Sequence, residues 1–553
     1  MSAQSAVAPP PGTRLVGAVG VGAGRSLQSA QSRSAGHVIA QFAHPVLALP
    51  DGSSMRTSCN WCLLPQVDHH ATTTTLRSCA GCSAAVYCRR ACQRLHWREA
   101  HKYECEALGR VRARAGKDWL PTPVRAAVQL LLREQAGDAA VRAAFGPHGL
   151  LSANRDAFRL CTSVWSDMGL QAVAALSYGA LSTTAEMLER ARDVLCKLQT
   201  NAFHRQDADT GASSVFVDPA LAMVNHSCVP NAFVGFEGRT ATLRALRQLH
   251  DGEEITISYI DYTLPRSRRR IALQLYHFQC MCSRCKHDKN VYDVCRDLAL
   301  PSPLTFTLAP TPCPEPSQLE METLYETWLA ADSLKQRWEI CEPLVRSGLC
   351  AIEPVPTTVL AMATEAIRSA SYVQGLVLYC FLSVRCDPVR YAISAPSRAE
   401  ALFAVAKLMS EIGPSLTSAN GAEICPHPGI WACLRSCDPA SICETLLGLV
   451  LRWGCQGAPE SIVAGARAML QDLEALPGRA HESHLVRAWA ADPCHGEGAA
   501  FVRLTVLGPM ERLSDFAADL IRTVVDEQGP AALLDDVALI VGFRGSKSWI
   551  PPL

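Results

Sequence analysis

Eight residues of metal-ligand type crowd into the 47 residues from Cys59 to Cys105: Cys59, Cys62, Cys79, Cys82, Cys88, Cys92, His101 and Cys105. Their spacing is C-x2-C, C-x2-C, C-x3-C and H-x3-C. Two or three intervening residues let both side chains of a pair turn toward one ion, so each pair can clamp one side of a tetrahedral Zn²⁺. Eight donors make two four-coordinate sites with no open position, and closed sites are structural. Cys88/Cys92 and His101/Cys105 are i,i+4 pairs in helical text, which predicts that each pair shares a helix face. His69 and His70 stand between the first two pairs and read as solvated loop residues, not ligands.

The chain has 25 cysteines in 553 residues and lacks an N-terminal charged segment followed by a long apolar run. A secreted disulfide framework is therefore not expected, and reduced thiols in the cytoplasm or nucleus are. Residues 1–50 contain no acidic side chain, which leaves an organelle transit peptide as an alternative to folded strands there. Lys+Arg and Asp+Glu both number 52, so net charge gives no argument for nucleic acid or membrane binding. No stretch approaches the roughly 18–20 apolar residues of a membrane span; Gly375 to Val384 reads as a buried helix.

The length implies two to four domains. Residues 1–13 read as a disordered lead, and 14–58 as short strands around Leu15-Val16, Val19 to Val21 and Val38 to Ala40. The cysteine module follows at 59–105. Residues 106–200 are helical, with Val124, Val128, Leu131 and Leu132 near a 3.6 period. Strand-like text returns over 201–262. A second cysteine cluster lies within 263–290, and the prolines of 299–318 mark a linker. Residues 319–553 read as helical throughout. Ser397 to Gly413 is expected as one helix, opened by a Ser397/Glu400 capping box, buried along Leu402, Val405, Met409 and Ile412, and ended by Gly413-Pro414.

Three motifs carry chemistry. The first is Asn225-His226-Ser227-Cys228-Val229-Pro230-Asn231, and the second is Gly252-Glu253-Glu254 running to Tyr259. The third, Tyr276-x-Phe278-x-Cys280-x-Cys282-x2-Cys285, offers three thiolates and needs a fourth ligand from elsewhere, Cys228 or a histidine such as His287. Gly20-Val-Gly22-Ala-Gly24 is a weak dinucleotide-loop signal. Arg266, Arg268, Arg269 and Arg270 read as a solvated helix face before a nucleic-acid contact.

The run from Tyr87 through Trp97 to Cys105 resembles the MYND zinc finger, and the three motifs resemble, in order, the NHSCxPN, GEEL-T-Y and post-SET segments of SET-domain methyltransferases. Together they are similar to the SET- and MYND-domain protein lysine methyltransferases over about residues 14–290. The resemblance implies an α+β multidomain fold: a SET β-fold interrupted by the finger and a helical insert, a zinc-binding post-SET segment, and an α-helical C-terminal domain. It implies interleaved finger sites, Cys59, Cys62, Cys88 and Cys92 on one zinc and Cys79, Cys82, His101 and Cys105 on the other. A third zinc would take Cys228, Cys280, Cys282 and Cys285.

The implied activity is S-adenosylmethionine-dependent methylation of histone or other protein lysines. Tyr259 would be the catalytic residue, Arg25, Asn201, Asn225, His226, Tyr259 and Phe278 would contact the cofactor, and Phe203 and Tyr276 would line the lysine channel. The family's opening G-x-G-L turn is here Gly24-Arg25-Ser26-Leu27, and the Cβ of Ser26 predicts strain if that position needs a positive φ. The alternative is an adaptor whose finger binds proline-rich peptides beside a weak SET core. Direct DNA binding and membrane partners are not expected.

Overall fold

The computed structural model describes residues 8–17, 24–66, 75–117, 119–206, 211–298, 318–416, 427–454 and 458–528, with the backbone of a small hairpin within 67–74. The strand expected at Val19 to Val21, the side chains of His69 and His70, and the proline-rich 299–317 lie outside these residues. The described chain forms two compact units. One runs to Ile260 and includes Ile271–Cys280; the other comprises Asp261–Arg270 and the chain from Met281 onward.

The first unit is a set of small sheets with two insertions. Strand β1 (Thr13–Val16) pairs antiparallel with β2 (Ser26–Ser29). Strands β3 (Val38–Phe42) and β4 (Leu47–Pro50) follow. The chain then leaves the sheets for the cysteine module, which holds two hairpins, β5 (Asp68–His69) with β6 (Thr72–Thr73) and β7 (Arg77–Ser78) with β8 (Val86–Tyr87). Helix Arg90–His96, a wide turn at Trp97–His101 and helix Lys102–Ala115 complete it.

Five helices come next: Thr122–Gln135, Ala139–Phe145, Arg155–Leu160, Thr162–Gly179 and Ala185–Asn201. Asp138 and Thr184 cap two of them by accepting backbone N–H bonds in the first turn. Val124, Val128 and Leu131 are buried in the first helix as the period predicts, and Leu132 is half-buried.

The chain re-enters the sheets at β9 (Phe203–Gln206) and β10 (Ser213–Val217), and β10 pairs with β4 on one side and β9 on the other. Strand β11 (Asn225–His226) leads to the hairpin β12 (Ala232–Glu237) and β13 (Thr240–Ala245), and β13 pairs with β3. Last comes β14 (Thr256–Ile257), parallel to β11. Strands on either side of the insertions thus close the same sheets. In β13, Ala241, Leu243 and Ala245 face inward in strict alternation, the mark of a sheet covered on one face.

The hairpin turn between β12 and β13 meets the cysteine module. Gly238 has φ 51°, and a Cβ there would lie 2.8 Å from the Cys62 carbonyl oxygen. Next to it, the Arg239 guanidinium sits 4.0 Å from the centre of the Trp61 ring.

The second unit is helical wherever it is described. Trp328, Trp338, Val405, Leu446 and Val450 sit in one core at 2 % exposure or less. Gly375–Val384 falls in helix Tyr372–Phe381 and the wide turn after it, both buried. Among the described residues no helix is long and apolar enough to cross a membrane.

Four local expectations change. Helix Pro396–Leu416 buries Leu402, Val405, Met409 and Ile412 as expected, but it starts at Pro396, so Ser397 lies inside the first turn, and it runs through Pro414. Cys88 precedes helix Arg90–His96, so only Cys92 of that pair is helical; the sulfurs meet because the chain turns at Arg89. Ser26 opens β2 opposite Val16 and has no positive φ, so the strain expected there does not arise. The basic run forms helix Arg266–Leu273 but is no solvated face: Arg269 is buried, and Arg266 and Arg268 are ion-paired to Asp288 and Glu326.

Candidate active site and metal centres

Parallel pairing of β11 and β14 brings the Asn225–Cys228 turn against the segment ending in Tyr259. Ser227 N–H donates to the Ile257 carbonyl at 2.9 Å, extending the ladder. Buried Asn231 locks the two segments: its Oδ1 accepts from Thr256 N–H at 2.8 Å, and its Nδ2 donates to the Glu254 carbonyl at 2.8 Å and to Glu253 Oε1 at 3.0 Å. Asn231 therefore holds the turn in place, a role for the last residue of the motif that spacing alone did not reveal.

Tyr259 is fixed at both ends. Its N–H donates to His226 Nδ1 at 3.0 Å and its hydroxyl to the Val224 carbonyl at 2.6 Å. Because His226 Nδ1 accepts, a neutral imidazole must carry its proton on Nε2, which lies 3.3 Å from the Cys228 sulfur. Burial, and then the charge of Glu254, push the Tyr259 phenol up, so it stays protonated near neutral pH. Around it stand Tyr276, with ring centres 5.0 Å apart, His226 at 5.3 Å and Phe278 edge-on at 6.3 Å. Tyr276 is buried, while Phe278 is 40 % exposed. Phe203 is buried in the same apolar cluster as Tyr259 and Tyr276.

The remaining expected contacts converge from other elements. Asn225 Nδ2 donates to the Arg25 carbonyl at 3.1 Å and to Glu254 Oε1 at 2.8 Å. Arg25 donates its guanidinium to the Leu150 carbonyl. Asn201, at the end of its helix, donates to the Ser152 carbonyl at 2.8 Å and the Lys197 carbonyl at 2.7 Å. The segment Leu150–Ser152 thus receives both Arg25 and Asn201. Its part, like that of Val224, is played by carbonyl oxygens, which leave no signal in residue identity.

The metal-type ligands fall into three sets of four. Cys59, Cys62, Cys88 and Cys92 form one, and Cys79, Cys82, His101 and Cys105 a second; Cys228, Cys280, Cys282 and Cys285 are the third. Within each set the ligand atoms lie within 4.8 Å of one another. Sets of four thiols, or three thiols and an imidazole, at such spacing suit a soft-to-borderline tetrahedral cation. His287 is not in the third set; Cys228 is.

Behind His101 lies a buried network. His101 Nε2 is 3.6 Å from the Cys82 sulfur, while Nδ1 is 3.1 Å from Glu104 Oε1. Arg125 grips Glu104 with two bonds of 2.9 and 2.8 Å and donates to Asn60 Oδ1 at 3.0 Å. Burial opposes ionisation of Glu104, but the Arg125 guanidinium outweighs it and holds the carboxyl well below the usual range. Asn60 lies between Cys59 and Cys62, so one arginine of the helical insert supports the ligand loops of both finger sets. A Glu three residues after a His at a ligand-type position was the available signal for Glu104; nothing local marks Arg125.

Comparison with known proteins finds similarity over the first half of the chain. The SET domain model matches residues 24–260. "SET domain and MYND-type zinc finger protein 6" of Schizosaccharomyces pombe is 30 % identical over 254 residues, 46 % of this chain and 48 % of the relative. Over this span the chain is similar to SET- and MYND-domain proteins. Another relative is "Histone-lysine N-methyltransferase ASHR1" of Arabidopsis thaliana, 27 % identical over 49 % of this chain and 55 % of its own length. A third is "Histone-lysine N-methyltransferase SMYD3" of Mus musculus, 24 % identical over 64 % of this chain and 78 % of its own. The match thus spans about half the length of the first two relatives. The SET domain match contains Tyr259, Asn225 and both finger sets, and ends before Tyr276.

Proposed function

We propose that this chain is an S-adenosylmethionine-dependent protein-lysine N-methyltransferase acting on histone or other protein lysines. The observation that carries the reading is the double anchoring of Tyr259, to His226 and to Val224, beside the Asn225 turn. In this reading residues 14–58 and 201–262 make the SET core, 59–105 the MYND finger, 106–200 the helical insert, 263–290 the post-SET segment and 319–553 the C-terminal domain. The three ligand sets hold structural Zn²⁺.

The donor groups fit the cofactor: Asn225 and Asn201 present amide groups, and the half-exposed Phe278 ring is free on one side to stack on an adenine. When bound, S-adenosylmethionine supplies a methyl group on a sulfonium. The chain must position a neutral amine against it and keep water out. A lysine ammonium titrates at about 10.4 in water, and the buried rings of Tyr259 and Tyr276 favour the uncharged amine by desolvation. Tyr259 is a poor base, because its phenol is held protonated, so the amine's proton leaves to solvent. With its hydrogen committed to Val224, the Tyr259 oxygen keeps its lone pairs for the amine N–H.

The finger exposes Trp97 and Leu64, about half accessible, which would suit a proline-rich peptide. The arginines of helix Arg266–Leu273 are paired or buried apart from Arg270, which argues against a DNA-binding face. Cytoplasm or nucleus fits the described cysteines, none of which is in a disulfide.

The test is transfer of labelled methyl groups from S-adenosylmethionine to a whole-proteome extract. The unaltered chain should label discrete proteins at lysine, and Tyr259→Phe should label them about 100-fold more slowly. Cofactor binding with no labelling of any protein would refute the reading.

A further inference from the structure

In the helical unit the buried Arg269 lacks partners among the described residues for two of its N–H groups. A cavity of about 20 Å³ has Arg266, Arg269, Arg284, Lys289, Asn290 and Glu353 in its walls. Four of these side chains are cations and one is a carboxylate. The carboxylate is already engaged, since Glu353 is ion-paired to Arg390 and accepts from Thr357 N–H at 3.3 Å. Arg266 is paired with Asp288 at 2.7 Å, and Lys289 with Asp297. Arg284 donates to the Lys289 carbonyl at 3.2 Å and to the Tyr262 carbonyl.

Arg266 also has an unpartnered Nε, but Arg269 has two such groups and no ion pair among the described residues. It is 2 % exposed, its Nη2 lies 3.9 Å from the Cys285 sulfur, and its Nε and Nη1 have no hydrogen-bond partner among the described residues. A guanidinium stays charged, so two unmet N–H groups in a buried cation are a standing penalty that an anion would relieve. We propose that this cavity binds a small oxyanion of the phosphate class, received by the Nε and Nη1 groups of Arg269 and favoured by the positive walls.

Size and charge select the ligand. About 10–15 Å³ admits a single water, so this space takes one small polyatomic group and excludes a sugar or a base. Several cations around one site reward a doubly charged anion over chloride or acetate. Arg269 touches both the cavity and Cys285, so filling the cavity also steadies the thiol run that supplies the third ligand set.

The experiment uses the full zinc-loaded chain in chloride buffer, titrated with inorganic phosphate, sulfate, acetate or further chloride at matched ionic strength. Thermal midpoint and the rate of zinc loss to a chelator are both followed. Phosphate should raise the midpoint saturably, by roughly 2 °C at tenfold over its Kd, and should slow zinc loss. Arg269→Gln should abolish the saturable response. Lys289→Gln, on a more accessible part of the wall, should weaken phosphate about tenfold.

An equal gain from added chloride would overturn the proposal, as would a phosphate response that survives in Arg269→Gln. If Arg269 is only a counter-charge to the thiolates, its substitution speeds zinc loss and leaves the phosphate response intact, which also overturns it. Should Arg269→Gln fail to fold, unchanged phosphate affinity in Lys289→Gln is sufficient to reject the site.

Discussion

The finger and the Tyr259 pocket, both in the first unit, hold their polar side chains in opposite ways. In the finger, side chains satisfy one another: His101 meets Glu104, Glu104 meets Arg125, Arg125 meets Asn60, and all four are at 1 % exposure or less. Around Tyr259, side chains are tied mainly to backbone: Tyr259 to Val224, Asn225 to Arg25, Asn201 to Ser152 and Lys197. Side chains paired to one another in this way have little capacity for a further ligand, although Arg125 Nη1 has no partner among the described residues. Side chains held by carbonyls keep their ring faces and lone pairs available. The first arrangement stabilises and the second receives.

That contrast makes the substitutions separable. The largest effect is expected from Cys228→Ser, which should lower bound zinc from three ions to two by elemental analysis and abolish methyl transfer; full activity with two ions would break the link between the third set and the pocket. Tyr259→Phe comes next, lowering kcat about 100-fold through lost positioning while the stability loss stays near 1 kcal/mol for one hydrogen bond, read by kinetics and denaturant melts.

Glu104→Gln should behave the other way round. It leaves Arg125 buried without its counter-charge, so stability falls by about 3–5 kcal/mol and a chelator strips one finger zinc roughly 10–100-fold more readily. A Glu104→Gln protein that melts normally but transfers methyl slowly would invert the comparison. Smallest is Ser26→Gly: strand glycine costs at most about 1 kcal/mol, and with no positive φ to relieve, cofactor affinity by calorimetry should stay unchanged.

The ligand pairs were legible in the sequence because metal ligation imposes short, fixed spacings on rare residue types, while their grouping into sets and the place of Cys228 came only through resemblance. The Asn225–Tyr259 pairing was legible only through resemblance, since nothing within either segment says that β11 and β14 lie side by side. Burial of Arg269 was not legible at all. Four arginines in five residues carry the composition of a solvated face, and only packing distinguishes the one that turns inward. The same holds for Arg125, 21 residues from Glu104 and 65 from Asn60. Helix Pro396–Leu416 shows a local signal overridden: Gly413-Pro414 reads as a stop, yet the helix continues to Leu416 with Ile412 still in the core.

The turn at Gly238 sets a rule for transplanting parts among such proteins. Any side chain at that position would run into the Cys62 carbonyl, and Arg239 beside it caps the Trp61 indole. A foreign finger grafted between β4 and the helical insert would therefore need its own matching hairpin tip, exchanged together with it as a single cassette.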